Sequence, residues 1–192
     1  MSFEFDKKIM YPADPTATPK RFQEYCSYYK VKYDICKEQN PKKIAEIGVR
    51  CGYSAWVFLQ ACPLAEYRGF DANNGTHGGQ GGENHRFSNW AKHILSPYQA
   101  FLTELDTQLV SDLYVRNVDL FHVDGDHTVE GVRHDLDLAF KCISDDGLIL
   151  IDDYTYLQTV EDGVDGWILK NSKHIEVDFI PSLRGEILIR KN

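Results

Sequence analysis

The sequence predicts an α/β fold: one doubly wound, mostly parallel sheet with helices on both faces and an antiparallel C-terminal hairpin. Three observations carry this. Short apolar strand patterns alternate with helical patterns along most of the 192 residues, the signature of parallel strands joined by right-handed crossovers. Leu148-Ile-Leu-Ile151 is uniformly apolar, as a strand covered on both faces must be. The last two strand patterns are separated only by Pro181-Ser-Leu-Arg184, too little chain for a crossover. The length suits one domain, read as an irregular arm over 1–18 followed by the domain proper over 19–192.

The arm carries Pro12 and Pro15 and shows no period. From Pro19 to Asn40 the spacing of Phe22, Tyr25, Tyr29, Tyr33 and Cys36 is helical; Thr18 can cap, Pro19 suits the first turn, and Asn40-Pro41 ends it. Lys43 to Ile47 reads as a strand, Tyr53 to Cys62 as a helix stopped by Pro63, and Tyr67 to Asp71 as a second strand. A helix over Glu83 to Leu95 puts Phe87, Trp90, Ala91 and Ile94 on one face. Tyr98 to Thr103 is the third strand, followed by a short helix from Asp106 carrying Leu109 and Leu113. Val118 to Val123 is the fourth strand. Val129 to Ile143 is a helix with Val132, Leu136, Ala139, Phe140 and Ile143 inward, and Leu148 to Ile151 is the fifth strand. A helix around Val160 to Leu169 and strands Glu176 to Ile180 and Gly185 to Arg190 complete the chain.

The charge sum, 21 basic against 29 acidic residues, is −8, so nucleic acid and anionic membrane surfaces are not expected partners. No apolar run is long enough for a membrane-spanning helix, and the N-terminus lacks the basic-then-apolar pattern of a secretory signal. Five cysteines without a CxxC pair fit a reduced, cytoplasmic chain rather than a disulfide or zinc framework.

In an open parallel sheet, ligands sit beyond the carboxyl ends of the strands. After the first strand comes Glu46-Ile-Gly48-Val-Arg-Cys-Gly52-Tyr-Ser54, whose glycines let backbone amides approach a ligand at a helix start. It is not a GxGxxG dinucleotide fingerprint, because Arg50 stands at the second glycine. Asp71 ends the second strand, 23 residues past Gly48, where a carboxylate can accept both hydroxyls of a ribose; a turn-starting Asp is the alternative. His122-Val-Asp124-Gly-Asp126-His127 ends the fourth strand and Ile151-Asp152-Asp153-Tyr154 the fifth. Adjacent strand ends bring Asp124, Asp152 and Asp153 together, where a cation would relieve their repulsion. An all-oxygen set suits Mg²⁺, Mn²⁺ or Ca²⁺ rather than zinc. The alternative is helix capping, by Asp126 or Thr128 before Val129 and by Asp153 before the next helix.

The order Glu46-x-Gly48…Gly52-Tyr53-Ser54, Asp71, VDGDHTVEGVRHDL, GLILIDDY resembles the class I S-adenosylmethionine (SAM)-dependent methyltransferases, within them the metal-dependent small-molecule O-methyltransferases. The resemblance spans roughly residues 42–155 and implies a Rossmann-like sheet. It implies that Glu46, Gly48 and Ser54, in the turn with Gly52 and Tyr53, line the methionine end of the cofactor. It places the ribose on Asp71, and a divalent metal on Asp124, Asp152 and Asp153. Catechol and caffeoyl-coenzyme A methyltransferases carry Asp-Asn where this chain has Asp152-Asp153; the macrolide-sugar enzymes share the double Asp, which points to a sugar or polyketide hydroxyl as acceptor.

Methyl transfer from a sulfonium requires the acceptor hydroxyl to lose a proton, and a divalent ion lowers that pKa. Asp124 and His127 are the expected catalytic pair, His127 standing three residues later as base; a surface histidine at a helix start is the other reading. His122, inside its strand, is expected as a satisfied core histidine. Gly75 to Gly82, five glycines in eight residues, reads either as a lid over the cofactor, with Trp90 or Phe87 near the adenine, or as a plain connection. Cys51 is expected as a small filler. The tyrosines of the first helix are expected in packing or in a homo-oligomer contact. The remaining alternatives are a metal-free methyltransferase and a non-catalytic binding module; a nicotinamide oxidoreductase is disfavoured by the missing fingerprint.

Overall fold

The computed structural model describes residues 3–15, 17–73 and 86–192. The elements are α1 (Pro19–Gln39), β1 (Lys43–Ile47), α2 (Tyr53–Ala61), β2 (Glu66–Asp71), α3 (Arg86–Leu95), β3 (Ala100–Glu104), β4 (Val118–Val123), α4 (Val129–Cys142), β5 (Ile143–Ile151), α5 (Gln158–Asn171), β6 (Ile175–Ile180) and β7 (Glu186–Lys191). The seven strands form one sheet in the order β3-β2-β1-β4-β5-β7-β6. The first five are parallel, and β7 runs antiparallel to both β5 and β6. The strand order reverses between β1 and β4, where the ligand crevice of a doubly wound sheet opens.

Strand alternation divides the core into two layers. Ile44, Tyr67, Leu120 and Leu150 face α1 and α2, while Ala45, Ile47, Phe121 and Ile149 face α4 and α5, meeting Val132, Leu136 and Trp167. Each fully buried side chain such as Leu136 or Ile149 contributes about 1.5–3 kcal/mol of transfer free energy before ordering costs. Among the described residues no helix is long and apolar enough to cross a membrane.

The expected caps form where they govern helix starts. Thr18 Oγ accepts from the Arg21 amide at 3.2 Å, and Asn40 closes α1 in the left-handed region at φ 49°. Thr128 caps α4, accepting from the Gly131 amide at 3.1 Å. Asp153 does not cap α5, whose N-cap is Leu157, with no side-chain cap hydrogen bond. The buried stripe of α1 is Tyr25, Tyr28, Tyr29, Lys32 and Cys36; Lys32 is the unexpected member, and Phe22 and Tyr33 are only partly buried against the core. The expected short helix after Asp106 is a single 3-10 turn, Thr107–Leu109, and its Leu109 is exposed. Strand β5 starts earlier than expected, at Ile143 beside Val118. The arm packs into the core: Phe5 is buried and stacks on Tyr29 at 4.8 Å, and Trp90 Nε1 donates to the Ile9 carbonyl at 2.7 Å. The tyrosines of α1 are thus covered from within the chain. The segment Gly75 to Gly82, expected as lid or connection, lies outside the described residues, as does the start of the helix expected from Glu83.

Candidate active site

Register sets the site. Ile47 pairs with Val123 and Val123 with Ile151, so Gly48, Asp124 and Asp152 emerge side by side at the carboxyl ends of β1, β4 and β5. Gly48 has φ +89°, and a Cβ there would lie 1.8 Å from the Asp124 carbonyl oxygen. Only glycine lets the first turn pass this close to β4. Gly52 enters α2 at φ 78°, and no side chain caps that helix, so its first amides are available to a ligand.

Asp71 is held by two backbone amides, Arg50 on Oδ2 at 2.7 Å and Asn73 on Oδ1 at 2.6 Å. Both oxygens keep lone pairs for further donors, as a pair of ribose hydroxyls would require. Glu46 and Ser54 are bonded to each other. Glu46 is fully buried; its carboxylate accepts from the Ser54 and Tyr67 hydroxyls and meets His122 Nδ1 at 2.7 Å. Burial and the Glu46 charge push the Tyr67 hydroxyl far above its ordinary value, so it stays a donor. Both side chains expected to line the methionine end therefore bond each other beneath the turn, because each points into the α1–α2 layer. Tyr53 likewise turns its hydroxyl to the arm, donating to Asp14 Oδ2 at 3.1 Å and accepting from the Tyr11 amide at 2.7 Å. Cys51 is buried, as a filler should be.

The acidic residues divide into two groups. Asp124, His127 and Asp153 offer donor atoms that all lie within 4.8 Å of one another. His127 Nε2 is 3.4 Å from Asp124 Oδ1, and this contact raises the imidazole pKa although burial opposes it. Burial first, then the charges of Asp152 and Asp124, push the Asp153 carboxyl up to about 6; Arg184 Nη1 answers it from 2.9 Å. Asp152 lies outside this trio, which shares Asp124 and Asp153 with the expected Asp124–Asp152–Asp153 set. Its Oδ1 pairs with the buried Lys32 ammonium at 3.1 Å and accepts from the Asp153 amide at 2.8 Å, while Oδ2 takes the Tyr28 hydroxyl. Burial opposes ionisation of Asp152, yet Lys32, then His122 and the Tyr28 hydroxyl, hold its carboxyl well below the usual range. Asp152 follows Leu150 toward α1, where Lys32 and Tyr28 hold its carboxylate, whereas the left-handed φ of 57° at Asp153 redirects the next side chain.

His122 is buried and bonded through Nδ1, as a core histidine should be, but its Nε2 has no hydrogen-bond partner and lies 3.9 Å from Asp152 Oδ2. Sequence reasoning missed Lys32 and Arg184, and expected Tyr28 in packing or an oligomer contact rather than on Asp152. Lys32 had a signal, since it sits four residues from both Tyr28 and Cys36 on the buried stripe. Arg184, in a hairpin turn, had none.

Residues 45–154 match the model of a family described as a methyltransferase domain. No curated protein matches the chain. The SAH-bound methyltransferase of Podospora anserina is 18% identical, covering 94% of this chain and 83% of its own, with a TM-score of 0.61. The O-methyltransferase of Bacillus cereus, in complex with SAH, is 13% identical, with 91% and 82% covered and a TM-score of 0.64. The O-methyltransferase TomG of Streptomyces achromogenes, involved in tomaymycin synthesis and in complex with SAM, is 13% identical, with 86% and 79% covered and a TM-score of 0.63.

Proposed function

This chain belongs to the methyltransferase-domain family, and on that premise we propose that it moves the methyl group of SAM to a hydroxyl of a small molecule. One observation carries the reading. The turn at Gly48 is flanked on one side by Asp71, held through the Arg50 amide, and on the other by Asp124, whose carbonyl leaves no room for a side chain at Gly48. A nucleoside on Asp71 would thus lie across the turn from the acidic strand ends, where an acceptor can be deprotonated.

Transfer is an in-line displacement at the sulfonium methyl carbon: the acceptor oxygen forms the new bond, the carbon–sulfur bond breaks, and SAH leaves neutral at sulfur. The acceptor proton must go to a group in the site. With Nε2–H directed at Asp124 Oδ1, the tautomer this contact favours leaves Nδ1 of His127 as the acceptor lone pair. Asp124 then stabilises the imidazolium that results.

A divalent cation also fits the donor set Asp124, His127 and Asp153, with Mn²⁺ better suited than Mg²⁺ to a set containing imidazole. When bound it would hold the acceptor oxygen and lower its pKa. Metal-free transfer with His127 as base is the second reading, supported by Arg184, which already places a positive charge on Asp153. Incubation with SAM and a panel of hydroxylated small molecules should produce SAH, and His127→Gln should cut the rate by about 10²–10⁴-fold. Chelation separates the two routes: it abolishes the metal-assisted one and leaves the other intact. A His127→Gln variant as active as wild type would remove the proposed base.

A further inference from the structure

Lys32 is fully buried, in a layer where an isolated ammonium could not remain charged. Three groups surround it: Asp152 Oδ1 lies at 3.1 Å, Glu186 Oε1 at 3.4 Å, and the Tyr28 ring at 4.5 Å to its centroid. Asp152 is equally enclosed, with Lys32 and the Asp153 amide on Oδ1 and the Tyr28 hydroxyl on Oδ2. The partners that surround it are locked: Tyr28 is 4% exposed and Lys32 0%. A cation arriving at the strand ends would have to displace a fully buried ammonium from Asp152.

The same contacts reach the open site. The Asp153 amide that donates to Asp152 belongs to the residue at φ 57° whose side chain turns toward Asp124. From this geometry we infer that Lys32 is the resident counter-ion of Asp152. It keeps that carboxylate out of any divalent-cation site and, through the Asp153 amide, acts as a positioning residue for the Asp124–His127–Asp153 group. The positive charge that the tandem Asp152-Asp153 needs comes from α1 through Lys32 and from the β6–β7 turn through Arg184. This inference rests on reading the strand ends as the active site, but its test does not require methyl transfer.

The test measures Mn²⁺ binding by electron paramagnetic resonance, and thermal midpoints with and without Mn²⁺, on the full chain and on K32M, D152N, D124N and K32M/D152N. Removing the ammonium frees Asp152 to become a ligand. K32M should therefore be destabilised without metal, bind Mn²⁺ on the order of tenfold tighter than wild type or more, and show a larger Mn²⁺-dependent rise in midpoint. K32M/D152N should lose that gain. Should K32M not fold alone, its recovery both on refolding with Mn²⁺ and in K32M/D152N supports the inference, and recovery in neither overturns it. A K32M response to Mn²⁺ equal to that of wild type overturns it, as does a loss of Mn²⁺ binding in D152N matching that in D124N. SAH binding, followed separately, reports on the methyltransferase reading, so the two claims fail independently.

Discussion

Arg50 grips Asp14 with both terminal guanidinium nitrogens, at 2.8 and 3.0 Å, and so ties the N-terminal arm to the turn that follows Gly48. The Asp14 side chain is fully buried in this pair while Arg50 keeps 28% exposure. The Arg50 amide is also the group that fixes Asp71 Oδ2, so one residue couples the arm, the turn and the candidate ribose carboxylate. Asp14→Ala should cost about 2 kcal/mol of stability, the scale of hydrogen bonds to a charged group, read by urea denaturation. SAH affinity should fall with it. Normal SAH affinity in a destabilised Asp14→Ala protein would confine the arm to a packing role.

Gly48→Ala should be far more damaging than its single methyl suggests. The new Cβ would meet the Asp124 carbonyl oxygen at 1.8 Å in a residue held at φ +89°, so β1 and β4 would have to part at the switch point. Loss of about 3 kcal/mol or more is expected, with SAH binding abolished in whatever folds. A variant that keeps wild-type stability would show that the turn is not as closely packed as described.

The His127 pair with Asp124 makes a prediction about pH. Its pKa is raised because the contact with Asp124 favours the protonated ring more than burial opposes it. A histidine raised on folding contributes stability that is fully present below its unfolded value, near 6.5, and is lost as pH rises through the folded value. Activity runs the opposite way, since the base must be neutral. Nuclear magnetic resonance titration of the His127 ring should give a midpoint above 6.5 in wild type and a lower one in Asp124→Asn. An unchanged midpoint in that variant would uncouple the pair.

The fold was legible because its cues are local. Alternating periods, Thr18 and Thr128 as caps, and the apolar run Leu148 to Ile151 each act within a few residues. The places of Gly48, Gly52 and Asp71 in the fold were legible for the same reason: they sit at strand and helix ends that the periodicity marks. The side-chain contacts were not. Whether Glu46 faces a ligand or Ser54, and whether Asp152 faces a cation or Lys32, depends on contacts between residues 8 to 124 positions apart, such as the Tyr28 hydroxyl on Asp152. The string Asp152-Asp153 looks like two equivalent carboxylates, yet Lys32 and Tyr28 hold the first while the second, at a left-handed φ of 57°, groups with Asp124 and His127.

The account stands or falls on the nucleoside site. Calorimetric titration of SAH into wild-type protein and into Asp71→Ala, with NAD as the control ligand, tests it most directly. Wild type should bind SAH saturably at one site per chain and prefer it to NAD. Asp71→Ala should bind SAH more weakly by about 1–3 kcal/mol, the scale of leaving buried hydroxyls unpaired. Preference for NAD, or equal SAH affinity in the two proteins, would contradict it.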